Sequence, residues 1–306
     1  MFTMSQITRR ELLEFLSIAS ASCLAGRAVA QAPPALEVKP LDKQLSLLTG
    51  AGGNIAILQA DDGLLLVDSG LPQTAEAVDA KARSVGAAPT VLINTHFHFD
   101  HVGANERLGR EGVRIIAHEN VLKRLSTPQK NVFFNRDMPA LAVEGRPKTT
   151  FSDKGELKHG GEKISYRYLP PAHTDGDTTV HFANANVYHC GDLFFNGLYP
   201  FIDYGAGGSI EGMVADADRM IKAVDAKTKI IPGHGPMATQ EDLRSYRAML
   251  ADVNERISKL VSEGKTLEQI QAAEPTKSYD DKWGKGFLKP ADFVRMLHAG
   301  KSSARS

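Results

Sequence analysis

Short apolar runs parted by polar turns occupy two stretches of the chain, and apolar positions at helical spacing separate and follow them. Residues 44–68 read as a pair or trio of strands with turns at Gly50–Gly53 and Asp61–Gly63. Pro72 to Gly86 has a proline near its start, apolar or Ala positions at helical spacing and a terminal Gly, which predicts a helix. A buried strand over Thr90–Asn94 follows, then a short helix from His101 to Arg110, a strand over Val113–Ala117 and a helix over Glu119–Leu125. Residues 126–150 are irregular and polar, with Phe133-Phe134 and Met138-Pro139 in them, and such a stretch suits an excursion over a functional site. Four strands are expected in residues 151–190. Ile210–Asp225 and Gln240–Ser262 carry amphipathic helical patterns, and two more helices, Thr266–Ala273 and one from Pro290, flank Trp283. Strand–helix alternation in two halves predicts an α/β fold, a four-layer αββα sandwich.

The densest chemistry sits at one strand end. His96-Phe97-His98-Phe99-Asp100-His101 follows the apolar run Val91-Leu92-Ile93 directly. Three imidazoles and a carboxylate within six residues exceed what a structural turn requires, and both donor types suit zinc and its neighbours. On extended backbone His96 and His98 project to one side. A helix beginning at Asp100 and His101 would swing those two toward a second point, so one motif can serve two metal ions.

Further ligands are expected where isolated His and Asp follow other apolar runs. His173 lies in a loop punctuated by Pro170, Pro171 and Gly176, Asp192 follows Gly191, and His234 sits between Gly233 and Gly235. Functional groups of sheet-based folds gather at such strand ends. Asp68, in Leu64-Leu65-Leu66-Val67-Asp68-Ser69-Gly70, is expected behind the ligands, orienting an imidazole or the motif backbone. His118, His159, His181, His189 and His298 are assigned to no metal; His159 is read as a turn residue beside Gly160.

These five motifs, in this order over roughly residues 44–260, resemble the metallo-β-lactamase superfamily of αββα metallohydrolases. The resemblance implies that His96, His98 and His173 hold a first metal, that Asp100, His101 and His234 hold a second, and that Asp192 bridges both. It implies two Zn²⁺ ions per chain and a bridging hydroxide that opens an amide, lactone or ester bond, with Asp100 as the catalytic carboxylate. Where some β-lactamases of this family place a lysine for the drug's carboxylate, this chain has Phe195. A β-lactam-like substrate is nonetheless favoured by the expected export. The alternatives are a lactonase, a thioesterase similar to glyoxalase II, and a mononuclear iron oxidoreductase similar to the persulfide dioxygenases. Asn196, Tyr199 and Tyr204, which follow Asp192 closely, are expected to wall the substrate pocket.

Composition narrows the partners. The chain carries 36 basic and 36 acidic residues with no basic run, which argues against nucleic acid and leaves a small molecule as the substrate. Arg9-Arg10, the short apolar stretch from Phe15 to Ala25 and the step Ala28-Val29-Ala30 resemble a twin-arginine export signal. Its apolar stretch is too short for a comfortable span, so no stable membrane association is expected after cleavage. The expected organisation is a signal over 1–30, a linker over 31–43, a catalytic domain over 44–265 and a helical extension over 266–306, in a periplasmic or secreted protein.

Overall fold

The structure is a computed structural model that describes residues 35–303. The expected signal and the first residues of the linker lie outside the described residues. The rest of the linker contains a strand, β1 (Glu37–Pro40), which pairs antiparallel with β2 (Leu45–Thr49). The sheet continues antiparallel through β3 (Ile55–Ala60) and β4 (Gly63–Val67). Parallel pairing then adds β5 (Pro89–Ile93), β6 (Arg114–His118) and β9 (Thr149–Phe151), giving seven strands in the order β1-β2-β3-β4-β5-β6-β9. Between β6 and β9 the chain makes a separate two-stranded hairpin, β7 (Gln129–Asn131) and β8 (Arg136–Met138). The second sheet is β10 (Lys154–His159), β11 (Glu162–Tyr168), β12 (Thr178–Phe182), β13 (Val187–His189) and β14 (Lys229–Ile231) in sequence order. Its last pair, β13 with β14, is parallel, and the others are antiparallel.

The period of two along the strands sorts side chains between layers. In β4, Leu65 and Val67 point into the cluster shared with Ile164, Val180, Phe182 and Ile231 of the second sheet. Leu64 and Leu66 point the other way, against Val78 and Ala82 of α1 (Ala75–Arg83) and Leu108 of α2 (Asn105–Arg110). Burial on both faces explains why the central strands read as unbroken apolar runs. The outer face of the second sheet packs on α4 (Ile210–Ala223) and α5 (Gln240–Ser262), which follow α3 (Glu119–Leu125) in the chain. Ser209 caps α4 through the Gly212 amide, and Thr239 and Asp242 form a reciprocal cap on α5. The order is helix, sheet, sheet, helix, as the alternation implied.

The expected helical extension packs into the body of the protein: Ile270 of α6 (Leu267–Ala272), Trp283 of α7 (Asp280–Trp283) and Phe293 and Leu297 of α8 (Pro290–Ser303) join the cluster under α5. One expectation needs correction. The helix expected from His101 begins only at Asn105. The His101 and Val102 amides turn back to the His98 carbonyl, but those of Gly103 and Ala104 bond to the Gly70 and Ser69 carbonyls instead. Docking on the loop after β4 thus takes the two amides that a continuous helix would have used.

Candidate metal centre

All seven expected ligands converge at the ends of β5, β11, β13 and β14. His96, His98, His173 and Asp192 form one group and Asp100, His101 and His234 a second; within each, one donor atom per residue lies within 4.8 Å of the others. Asp192 faces both. Its Oδ2 is 3.5 Å from His173 Nε2 and 3.4 Å from His234 Nε2, and its Oδ1 is 3.1 Å from His101 Nε2. The side chains of His96, His101 and His173 are closed to solvent, whereas Asp100 and His234 are open to it at 19% and 17%. Access is from the second group's side.

The hydrogen bonds behind the rings fix which nitrogen carries the proton. His173 Nδ1 lies 2.8 Å from the Phe201 carbonyl, which can only accept, so Nε2 is left as the lone pair. His98 Nε2 lies 2.9 Å from Asp203 Oδ2, which leaves Nδ1. Thr95 Oγ1 donates to Asp68 Oδ2 at 2.7 Å, so it receives the proton of His96 Nδ1 at 3.1 Å and leaves Nε2. His101 Nδ1 lies 2.8 Å from the same Asp68 Oδ2, leaving its own Nε2. Asp68 therefore orients one ring of each group, as expected of a residue behind the ligands, and it does so from a left-handed backbone (φ 66°).

The unprotonated nitrogens of the first group then face one another: His98 Nδ1 is 2.8 Å from His173 Nε2 and 3.1 Å from His96 Nε2. In the second group His101 Nε2 is 3.3 Å from His234 Nε2, and the Asp192 and Asp100 carboxylates outweigh burial, raising His234 to about 9 and His101 well above its ordinary value. Burial pushes His173 down to about 4 and His96 well below its ordinary value, outweighing the pull of Asp192, so neither ring relieves the crowding by protonation. Asp192 Oδ1 is buried with no hydrogen-bond partner. Lone pairs this close repel unless a cation lies between them, and imidazole nitrogen with carboxylate oxygen is a donor set that zinc accepts. The residues fit a metal. Gly233 belongs to this cradle, because a Cβ there would stand 2.0 Å from Asp192 Oδ1.

Above the groups opens a cavity of about 480 Å³. His98, Asp100, Asp192 and His234 form its floor, and Phe99, Phe134, Phe195, Phe201, Phe287, Asn131 and Arg136 its walls. The excursion over residues 126–150 thus reaches the site, as expected. The residues proposed for the walls do not. Asn196 turns its amide to the carbonyls of Pro236 and Met237. Tyr199 is fully buried, stacked on Phe293 with its hydroxyl 2.8 Å from Asp280 Oδ1. Tyr204 packs against the core under α4, α5 and α8, and its hydroxyl is buried. Nor is His159 a turn residue: it ends β10 and is buried, with Nε2 3.0 Å from the Gly63 carbonyl. Sequence reasoning missed Asp203, 105 residues from the ring it orients. It also missed the structural role of Asp177, which accepts the amides of His173 and Thr174 and thereby shapes the His173 loop.

The profile of the Metallo-beta-lactamase superfamily matches residues 48–234, more than half of the chain. A hydroxyacylglutathione hydrolase from Rhodospirillum rubrum is 29% identical over 167 residues, 53% of this chain and 55% of that protein. The human acyl-coenzyme A thioesterase MBLAC2 is 25% identical over 185 residues, 55% of this chain and 63% of that protein. The match spans less than two thirds of either relative. Among solved structures, a metallo-beta-lactamase from Pontibacter korlensis superposes with a TM-score of 0.57 at 20% identity, covering 71% of this chain and all of the other, which speaks for the fold alone. The protein belongs to the metallo-β-lactamase superfamily and is a metallo-hydrolase.

Proposed function

We propose that the protein is a dinuclear zinc hydrolase of thioesters or esters with an apolar body. The observation that carries this is the convergence of four histidine Nε2 atoms on Asp192 beneath a cavity walled by five phenylalanines. Two bound zinc ions would supply Lewis acidity at the scissile carbonyl and make water a better nucleophile near neutral pH. The chain's own part is arrangement. His96, His98 and His173 would hold the inner ion with Asp192, and Asp100, His101 and His234 the outer one. Asp100 lines the open side; burial works to raise its pKa, but His101 and His234 outweigh that and hold it at about 2, so it stays a carboxylate. From there Oδ2 can take the proton of attacking water and return it to the departing sulfur or oxygen. The phenyl walls exclude bulk water and take up the acyl or leaving group.

A β-lactam was the substrate favoured from sequence, and the site supports it less. Phe195, which stands where a cation would meet the drug's carboxylate, is fully buried and stacked on His234 with ring centroids 5.1 Å apart. The two curated relatives named above, by contrast, act on acyl thiols by their names. The test is turnover by zinc-loaded protein of a phenylacetyl thioester, a phenylacetyl ester, an aryl lactone and a chromogenic cephalosporin, each with and without chelator. Chelator-sensitive cleavage of the thioester or ester is expected, and His98→Ala should abolish it. Silence on both from protein holding two zinc ions would refute the reading. One iron per chain with oxidation of a persulfide would replace it by the oxygenase alternative.

We also propose export by the twin-arginine route. Its test is retention of the protein inside the cell when Arg9 and Arg10 are both replaced by lysine.

A further inference from the structure

The hairpin β7–β8 sets two donors side by side. Its register pairs Asn131 with Arg136, and directly opposed residues of an antiparallel pair project to the same face of the ribbon. Both side chains line the cavity above the metal groups. The Arg136 guanidinium lies 3.6 Å from the centroid of the Phe99 ring, and it forms no ion pair or side-chain hydrogen bond with any described residue. Stacking on the ring face holds its planar fork in place and strips water from one side, while leaving the edge donors free. Asn131 spends Oδ1 on the Phe134 amide at 3.1 Å, so its Nδ2 protons are free for a ligand. Among the residues that line the cavity, Arg136 is the only lysine or arginine; the remaining wall is phenyl.

A cavity of this kind selects by contrast. Phenyl walls reward an apolar ligand of about ring size. One unpaired cation beside an amide donor, with the carboxylates on the floor turned to the metal groups, rewards a single negative charge at the far side of that ligand. We propose that Asn131 and Arg136 form an anion-recognition pair, so that the substrate has an apolar, aryl-sized body carrying one monoanionic oxyacid group remote from the bond that is cut. The statement about the bond rests on the hydrolase reading above; the anion pair rests on the hairpin alone.

The test is calorimetric binding of two probes of one shape, toluene-4-sulfonate and 4-tolyl methyl sulfone, to the metal-loaded full chain. The sulfonate should bind about tenfold tighter, which is the scale of one charge-assisted contact. Arg136→Ala should bring the sulfonate down to the affinity of the sulfone, and Arg136→Lys should keep part of the preference. Asn131→Asp keeps the acceptor for the Phe134 amide while adding a like charge, and should weaken the sulfonate about tenfold. Equal affinity of the two probes for the unaltered protein, or a preference that survives Arg136→Ala, would overturn the proposal. Lack of ester or thioester turnover with this preference intact would instead refute the hydrolase reading and leave the anion pair standing.

Discussion

Asp203 Oδ2 lies 2.9 Å from His98 Nε2, and this bond decides which nitrogen of His98 faces the metal groups. Burial pushes the Asp203 carboxyl up, but His98 and His173 outweigh it and keep it below its ordinary value, so the acceptor is a carboxylate. Asp203→Ala should lower zinc affinity about 10- to 100-fold, the range for losing such an outer partner. Asp203 meets His98 with Oδ2 and the Ala206 amide with Oδ1; Asp203→Asn keeps one of these two acceptors and should lose less than Ala. Chelator competition measures both; an Ala variant with unaltered affinity would break the assignment.

At Gly233 a methyl group would stand 2.0 Å from Asp192 Oδ1 and 2.7 Å from the Gly191 carbonyl carbon. The neighbour is partly backbone and cannot swing away. Gly233→Ala is expected to cost about 1–3 kcal/mol of stability by overpacking. Because the displaced group is the carboxylate facing both ligand sets, zinc affinity should fall at least about tenfold as well. Denaturant melts and metal titration report the two effects separately.

His159 and Asp192 are both buried polar residues, but only Asp192 belongs to the metal groups. His159→Ala removes the bond to the Gly63 carbonyl and should cost about 1–2 kcal/mol while zinc stoichiometry stays unchanged. Asp192→Ala should reduce bound zinc and turnover severely. Metal analysis of the two purified variants compares them directly, and like behaviour would contradict the placement of Asp192.

Asp216 on α4 is buried beside Arg219, with Oδ2 lacking any hydrogen-bond partner. Burial raises its pKa from 3.8 to about 6 against the pull of Arg219. Between those values the folded protein holds a proton that the unfolded chain releases. Stability from this group is therefore full below about pH 4 and is lost as pH rises through about 6. Asp216→Asn should remove that dependence: the stability difference between the unaltered protein and the variant should change by about 2 kcal/mol from pH 4 to pH 7, to the detriment of the unaltered protein. Urea unfolding across that range is the measurement, and parallel curves for the two proteins would refute it.

The ligands were legible because each is local. Six residues after one apolar run carry four donors, and Gly191-Asp192 and Gly233-His234 follow short buried strands. Layers were legible for the same reason, since strand alternation and helical spacing are read over a few residues. What failed depends on direction or distance. Asn196, Tyr199 and Tyr204 lie near Asp192 in sequence, yet spacing in a loop does not say where a side chain turns, and Tyr199 turns into the core beneath α8. Nothing local to Asp203 marks it as the partner of a histidine 105 residues away. Arg136 and Asn131 reach the cavity only through a hairpin pairing whose polar residues carry no strand pattern. The helix at His101 failed because a tertiary partner, the loop after β4, outbid the local one.

The β7–β8 ribbon belongs to neither large sheet, and none of the seven metal-group residues lies in it, yet it furnishes Asn131, Phe134 and Arg136 to the cavity. The polar part of recognition is thereby carried by a stretch of chain separable from the chemistry, although Phe99 and Phe195 of the walls stay beside the metal-group residues. A lineage can redraw the ribbon to change diet while the floor that cuts the bond is inherited untouched.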